Sequence, residues 1–474
     1  MTTTPSTATA TAAPGPGSSS SSLPTASPRE TAQVLGGAVG PILAQGVIAR
    51  RPWVVKLAGQ LGTDDRSVRM LQGLRARHGD GPVRLPIPGR PAALVLGAAD
   101  VRRVLEQTPE PFATASWEKR GALGHFQPRG VLVSHGAARE ERRRFTEGVL
   151  ETGSPMHSHA ESITRVARQE AVALRADAAG SGVLDWPTFV TAWWRVVRRI
   201  VLGDHARDDH TLTDRLTALR RSANWSFLAP RRDDLRRQFH DGVARHLDRA
   251  ETGSLAEMIA SLSEQHPGTE GSGTEDLAPT DQVGHWMFAF DPAGAVTLRA
   301  LALLAADPHL RGRVRAELAG RDLNQPQELP LLRAVVLESV RLWPTTPLLL
   351  RQTTQPTTWG AGELPTGTAM IIPTWFLHRD DRSRSDADRA DPDQWLDGSA
   401  AQDWMLTPFS GGPGVCPGRE LVLFTASTVL ATLLEEHHHV LLPPERFAAR
   451  GPLPRGLDPY SLRFGVGRST AAGE

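Results

Sequence analysis

The sequence predicts a mainly α-helical single domain carrying small β-sheets, and three observations lead there. Apolar residues recur with a period near 3.6 through six long stretches, only four short runs read as strands, and no repeat or long linker divides the 474 residues. In chain order the helical stretches are VRRVLEQ (101–107), SITRVARQEAVALRADA (162–178), WPTFVTAWWRVVRRIVLG (186–203) and DDLRRQFHDGVARHLDRA (233–250). A longer one runs from DQVGHWMFAF to LRALALLAADP (281–308), and LPLLRAVVLESVRLW (329–343) follows it. The strand-like runs are VRLPI (83–87), AALVLG (92–97), LLLRQTT (348–354) and AMIIPT (369–374). A loop-rich segment at 266–279 reads as a surface connection between helices. Residues 1–32 are rich in Thr, Ala, Ser and Pro and hold too little apolar surface to offset their ordering entropy, so they are expected to form a disordered tail ahead of one domain at 33–474. A domain of that size exceeds the usual range, which points to something filling its centre.

Composition excludes several classes of function. With 53 basic and 52 acidic side chains the chain is almost neutral, which gives no reason to expect nucleic acid as a partner. A single cysteine rules out an intrachain disulfide, a CxxC zinc site and a cluster held by four thiolates, and fits a reducing cytoplasm. No run of 18 or more apolar residues occurs, and the N-terminus lacks the basic start and apolar middle of a secretion signal, so a soluble protein with no membrane anchor is expected.

That one cysteine stands in PFSGGPGVCPGRELVLF (408–424), where Phe409, Gly412, Cys416 and Gly418 spell FxxGxxxCxG. Glycines allow the backbone to lie close beneath a flat ring and to take positive φ. Backbone N–H groups can donate to a sulfur ligand, and the helix that begins with ELVLF stabilises a thiolate through its N-terminal dipole. A buried free thiol is the commoner fate of a lone cysteine, but it would not need these partners at these offsets.

The loop resembles the cysteine loop of the haem-thiolate cytochrome P450 superfamily, and the resemblance extends over roughly residues 33–468. It implies the superfamily's triangular prism, with a long helix lying over the haem, and Cys416 as axial iron ligand to haem b. Phe409, Gly412, Gly414 and Gly418 then belong to the cofactor loop. Glu338 and Arg341 in VLESVRLWP form the ExxR pair, on one helix face because they are three apart. Arg389 is the expected third member of that structural network. Arg139 and Arg143, four apart, match the family's HxxxR positions with Arg139 in place of His, and Arg351 matches a further propionate arginine. Gly414 departs from the Arg or His usual two residues before the cysteine, so propionate binding is expected to lean on those three arginines, with His378 as a further candidate.

In FAFDPAGA, Asp291 takes the place of the family's oxygen-activating acid and Pro292 that of the proton-relaying Thr. A proline inside a helix removes a donor and clashes with the carbonyl four residues back, so a kink at Phe288 is expected. Proton delivery would fall to Asp291 with water, or to a substrate hydroxyl. Peroxide as oxidant, oxidative coupling, and a non-catalytic haem-binding role are the alternatives that the missing Thr leaves open. The family's pocket map assigns Trp117, His125, Phe126, Phe288, Ala289, Phe290, Leu348 and Leu349 to a largely apolar small-molecule guest. The resemblance further implies a monomeric monooxygenase of specialised or xenobiotic metabolism. Its electrons would come from NAD(P)H through a separate ferredoxin and reductase, the ferredoxin steered by Arg142, Arg144 and Arg419.

Overall fold

In the computed structural model, which describes residues 23–265, 277–360, 362–443 and 451–468, one long helix, Pro279–Ala306, passes through the middle of the larger of two apolar cores. Val283, Met287, Leu298, Leu301 and Leu304 are fully buried on it. By length and composition this helix could cross a membrane, but 78% of the relevant window is buried inside the protein. Helices Trp186–Leu202, Asp233–Leu247, Pro330–Leu342 and Arg419–Leu434 pack around it, and Ala160–Ser181 packs on Trp186–Leu202 and Arg419–Leu434. Their apolar faces are those that the sequence periodicity picks out.

Among the described residues, ten short strands accompany the helices: β1 (Val83–Leu85), β2 (Ala92–Leu94), β3 (Phe112–Ala113), β4 (Val183–Asp185), β5 (Leu348–Thr353), β6 (Thr357–Trp359), β7 (Gly362–Leu364), β8 (Ala369–Pro373), β9 (His437–Leu442) and β10 (Arg463–Arg468). The four strands expected from sequence, β1, β2, β5 and β8, join with β3 in one sheet of order β1-β2-β8-β5-β3. Only β2 and β8 pair in parallel there, with Leu94 opposite Ile371. This sheet carries the second core together with helices Thr63–His78 and Ala98–Glu106. β9 and β10 escaped the sequence reading because HHHVLL and RFGVGR lack a clean apolar alternation. They pair with each other, and β10 also pairs with β4.

The expected tail is too long. Residues 23–32 are folded: Leu23 and Ala26 are buried, and a helix starts at Pro28 behind a capping box in which the Ser27 hydroxyl accepts from the Glu30 amide while the Glu30 carboxylate accepts from the Ser27 amide. The predicted loop at 266–279 lies mostly outside the described residues.

Candidate functional site

The cysteine loop is fixed from several directions. Its backbone turns back so that the Cys416 amide donates to the Phe409 carbonyl at 2.9 Å, and helix Arg419–Leu434 starts directly behind it with Gly418 at its N-cap. Gly412 has φ +59°, and a Cβ there would lie 2.2 Å from the Leu105 carbonyl oxygen, so no other residue fits. Arg143 Nη2 donates to the Val415 carbonyl at 2.9 Å, and the Thr152 hydroxyl to the Pro417 carbonyl at 2.9 Å. Phe409 packs against the main core. Cys416 is a free, half-buried thiol; burial pushes its pKa up, while the Gly418 amide and the Arg143 and Arg419 guanidiniums pull the other way. Every residue from 408 to 420 is at least partly exposed although the segments on both sides are buried, so the loop lines a space rather than a core.

Behind the loop, Glu338 and Arg341 are fully buried and paired through two contacts, Nε to Oε1 at 2.8 Å and Nη2 to Oε2 at 2.7 Å. The carboxylate also accepts from the Asp391 amide at 2.8 Å, from Gln394 Nε2 at 3.2 Å and from Trp395 Nε1 at 2.6 Å. Arg341 in turn reaches the His378, Ala387 and Asp386 carbonyls and the Arg389 carbonyl. Arg389 therefore joins the network by its backbone, and its side chain is exposed. The expected second guanidinium on Glu338 is replaced by the neutral donors Trp395 and Gln394, which avoid setting two buried cations beside one carboxylate.

His378 likewise has a different part from the one expected. Its Nε2 accepts from the Thr407 amide at 3.0 Å, so Nδ1 carries the proton and donates to the Arg341 carbonyl at 3.2 Å. Burial, with Arg341 and other guanidiniums adding, pushes it down to about 3. A neutral ring that ties the ExxR helix to the approach of the cysteine loop supplies no charge to a propionate.

The cations gather elsewhere. Arg139 and Arg143 lie buried on helix Gly136–Leu150, and Arg139 Nε is sealed with no partner. Arg351, buried on β5, donates only to neutral oxygens: Thr108 Oγ1 at 3.1 Å, the Leu350 carbonyl at 3.0 Å and Ser410 Oγ at 3.0 Å. Burial, then repulsion from Arg139 and Arg143, pushes it down to about 10. Lys119 Nζ donates to the Thr114 and Leu350 carbonyls, both at 3.0 Å, and burial with Arg351 nearby holds it well below its ordinary value. Arg143 Nε pairs with Glu147 Oε1 at 2.6 Å. Arg139, Arg351 and Lys119, each held below its ordinary value by burial and by a neighbouring cation, have no carboxylate partner among the described residues, which fits an anionic group that comes from outside the chain. Gly414 belongs to the same design: a Cβ there would sit 2.7 Å from Arg351 Nη2, so the guanidinium occupies the space where the usual Arg or His would begin. A thiol donor in a glycine-shaped loop beside such a cluster fits a haem with two propionates.

Helix Pro279–Ala306 is unbroken through Pro292. His285, Phe288, Ala289 and Pro292, at spacings i, i+3, i+4 and i+7, are partly exposed and form one stripe; Asp291, Arg299 and the two helix ends are partly exposed off it. Because the stripe holds the expected pocket residues Phe288 and Ala289, it is the side that a guest cavity would face. Two residues before the proline, the Phe290 carbonyl accepts from the Trp193 indole at 2.8 Å, and Gly294, two residues after it, leaves room for the ring, since a Cβ would lie 2.9 Å from it. Asp291 Oδ2 meets Arg220 Nη2 at 2.6 Å, and the same nitrogen donates to the Ile48 carbonyl at 2.8 Å. Of the pocket candidates, Phe288, Ala289, Leu348 and Leu349 are partly exposed. Phe126 and Phe290 are sealed in the core, and His125 is buried with Nε2 against the Ser226 carbonyl at 2.8 Å. Trp117 is 51% exposed and packs on Phe227. Sequence reading missed Lys119, Arg220 and Trp395. Only Lys119 left a trace, as a cation inside the pocket loop.

The sequence profile of the family described as "Cytochrome P450" matches residues 280–448. Among curated proteins, the chain is 33% identical over 209 residues to cyclooctat-9-en-7-ol 5-monooxygenase of Streptomyces melanosporofaciens, a match covering 42% of this chain and 45% of that protein. It is 35% identical over 158 residues to flavonoid-6-hydroxylase of Mentha piperita, covering 31% of each. The chain thus spans less than half the length of these curated relatives. Among solved structures, it superposes on retinoic acid bound cyanobacterial CYP120A1 with a TM-score of 0.67 and 17% identity, covering 84% of this chain and 94% of that one, a likeness of fold.

Proposed function

The chain belongs to the cytochrome P450 superfamily, and from that premise we propose that it is a haem-thiolate monooxygenase acting on a largely apolar small molecule of specialised metabolism. The observation that carries the reading is the pairing of Cys416, in its glycine-shaped loop, with Arg139, Arg351 and Lys119, three cations that have no carboxylate partner among the described residues. A haem bound there supplies oxygen activation at an iron whose electron density the thiolate raises. Cys416 would be its ligand, and Arg139, Arg143, Arg351 and Lys119 would hold its propionates. The named activities of the two relatives above, both oxygenations of small organic molecules, agree with this.

On the opposite side Pro292 has no hydroxyl and no N–H, and the acid beside it in the chain is Asp291, just off the stripe. One of its oxygens is committed to Arg220, while Oδ1 has no protein partner among the described residues and is the oxygen left to take part in a water-mediated relay. Arg220 is neutralised by that pair, which leaves no free guanidinium at this point to anchor an acidic guest and counts against the peroxide-driven alternative. Electrons would come from NAD(P)H through separate ferredoxin and reductase proteins. Of the three basic residues expected to steer the ferredoxin, Arg144 is exposed, Arg142 Nη1 donates to Ser134 Oγ, and Arg419 lies beside Glu420.

Two measurements test the proposal. The ferrous carbon monoxide adduct of the wild type should show the red-shifted Soret band of thiolate ligation, and Cys416→Ser should lose it; a wild type without that band overturns the assignment. Turnover with ferredoxin, reductase and NADPH should exceed turnover with hydrogen peroxide, and the reverse ranking overturns the electron source.

A further inference from the structure

One hydrogen-bond donor on the cavity-facing stripe has no part in the proposed oxygen chemistry. His285 stands one turn before Phe288 and Ala289, with its ring 5.9 Å from that of Phe288. Its Nδ1 meets Gln127 Nε2 at 2.9 Å. An amide nitrogen only donates, so Nδ1 is the unprotonated ring nitrogen and the single ring proton lies on Nε2. Burial, with Lys119 adding to it, pushes His285 down to about 4, which keeps the ring neutral. Among the described residues, Nε2–H finds no protein acceptor, and the residue is only half-buried.

The support behind the ring costs something to maintain. Gln127 is fully buried and its Oε1 has no partner. With Nε2 on the imidazole the amide leaves Oε1 and its second N–H without partners among the described residues; turned round it would leave both N–H groups so, an equal number, and the structure sets Nε2 against the ring. Gly130 makes room for it: a Cβ there would lie 2.6 Å from Gln127 Oε1. An orphaned core amide that fixes one tautomer of a cavity-facing ring has a use if the ring's free N–H meets a guest. The other surroundings of that N–H are aromatic or already engaged, since Phe288 is apolar and Lys119 holds two carbonyls.

We infer that His285 Nε2–H, set by Gln127, orients the substrate by donating to one neutral acceptor oxygen, a carbonyl or hydroxyl, on an otherwise apolar skeleton. The inference rests on the proposed haem cavity and narrows its substrate class. A polar anchor of this kind sets which carbon faces the reactive side, so His285 is a specificity-determining residue rather than a source of binding strength alone.

The test uses haem-loaded protein and a matched pair of probes, decalone and decalin, titrated while the Soret shift on binding is followed. His285→Phe keeps an aromatic ring and removes the donor. The ratio of the two dissociation constants should move about tenfold toward decalin in this variant, the worth of roughly one hydrogen bond, while the decalin constant changes less than about twofold. Gln127→Leu frees the tautomer and should give an intermediate ratio, and His285→Gln, which keeps a donor, should restore most of the preference. A His285→Phe protein with an intact thiolate-type carbon monoxide spectrum and the wild-type ratio overturns this inference and leaves the haem assignment standing. A wild type without that spectrum overturns both.

Discussion

On the cysteine side of the site, Glu338 accepts from Arg341, Asp391, Gln394 and Trp395, and Arg341 reaches four backbone carbonyls. On the opposite side, Asp291 holds one guanidinium, keeps 27% of its side chain exposed, and is followed by a proline. The two regions lie on helices that pack against each other, so the contrast is not one of depth in the fold. It follows from what each must keep constant. A ligand loop has to present one sulfur in one place whatever the guest, and a dense buried network does that. A guest cavity has to stay open, and open space costs packing, so its few polar groups are held singly, each by one partner: Asp291 by Arg220, His285 by Gln127.

The contrast breaks most visibly at Glu338. Glu338→Gln leaves the fully buried Arg341 guanidinium without its counter-charge and should destabilise the protein by about 3–5 kcal/mol, read from the urea unfolding midpoint. A loss no larger than that of a surface substitution would mean the network is dispensable. Acid should come next. His378 titrates at about 3 in the fold against 6.5 for the free side chain, so between those values the unfolded chain binds a proton that the folded one refuses. Stability is therefore flat in this term above about pH 6.5 and falls, by at most about 1.4 kcal/mol per pH unit, as pH drops below it. Asp64, held up to about 6 by burial, acts in the opposite sense, and His285 and His439, both near 4, act in the same one. The informative measurement is consequently the difference in acid slope between wild type and His378→Gln, which should flatten by up to one proton.

The same division explains what was legible in the sequence. The cysteine loop and ExxR could be read because their parts are local: four helical positions, or ten loop positions, fix the geometry by themselves. Four strands of the larger sheet were legible for the same reason. Arg389 was misassigned because the reading counted guanidiniums, whereas the fold satisfies Glu338 with an indole and an amide and takes only a carbonyl from residue 389. His378 was given a charge that burial removes. Asp291 and Arg220 are separated by 71 positions on different helices, and no spacing rule links them. Gly414 looked like a lost cation, and the structure shows that Arg351, from β5, fills the same place.

That substitution of one arginine for another sharpens the comparison at an intermediate scale. Gly414→Ala would press a methyl to within 2.7 Å of Arg351 Nη2. It should cost about 1–3 kcal/mol of overpacking and loosen haem, measured as faster transfer of haem to an apoprotein acceptor. Unchanged retention would place the propionates away from Arg351. Asp291→Asn should cost less, about 1 kcal/mol, because the side chain is partly solvated and Arg220 keeps the Ile48 carbonyl. Its larger effect should be on kcat, with substrate binding retained. Equal loss in both would make the pair a structural strut.

The smallest expected effect is at Arg389. Its side chain is exposed and has no hydrogen bond or ion pair among the described residues, while its carbonyl accepts from Arg341. Since every residue type supplies that carbonyl, Arg389→Ala should leave stability within about 0.5 kcal/mol of wild type and the carbon monoxide spectrum unchanged. Arg389→Pro is the sharper control: it keeps the carbonyl but removes the amide that donates to the Asp386 carbonyl at 3.0 Å, which shapes the turn. If Ala were as damaging as Pro, the guanidinium would have a role beyond the contacts seen. If only Pro is damaging, the third partner of the Glu-Arg pair in this chain is a stretch of backbone, held in place by its turn and indifferent to the side chain it carries.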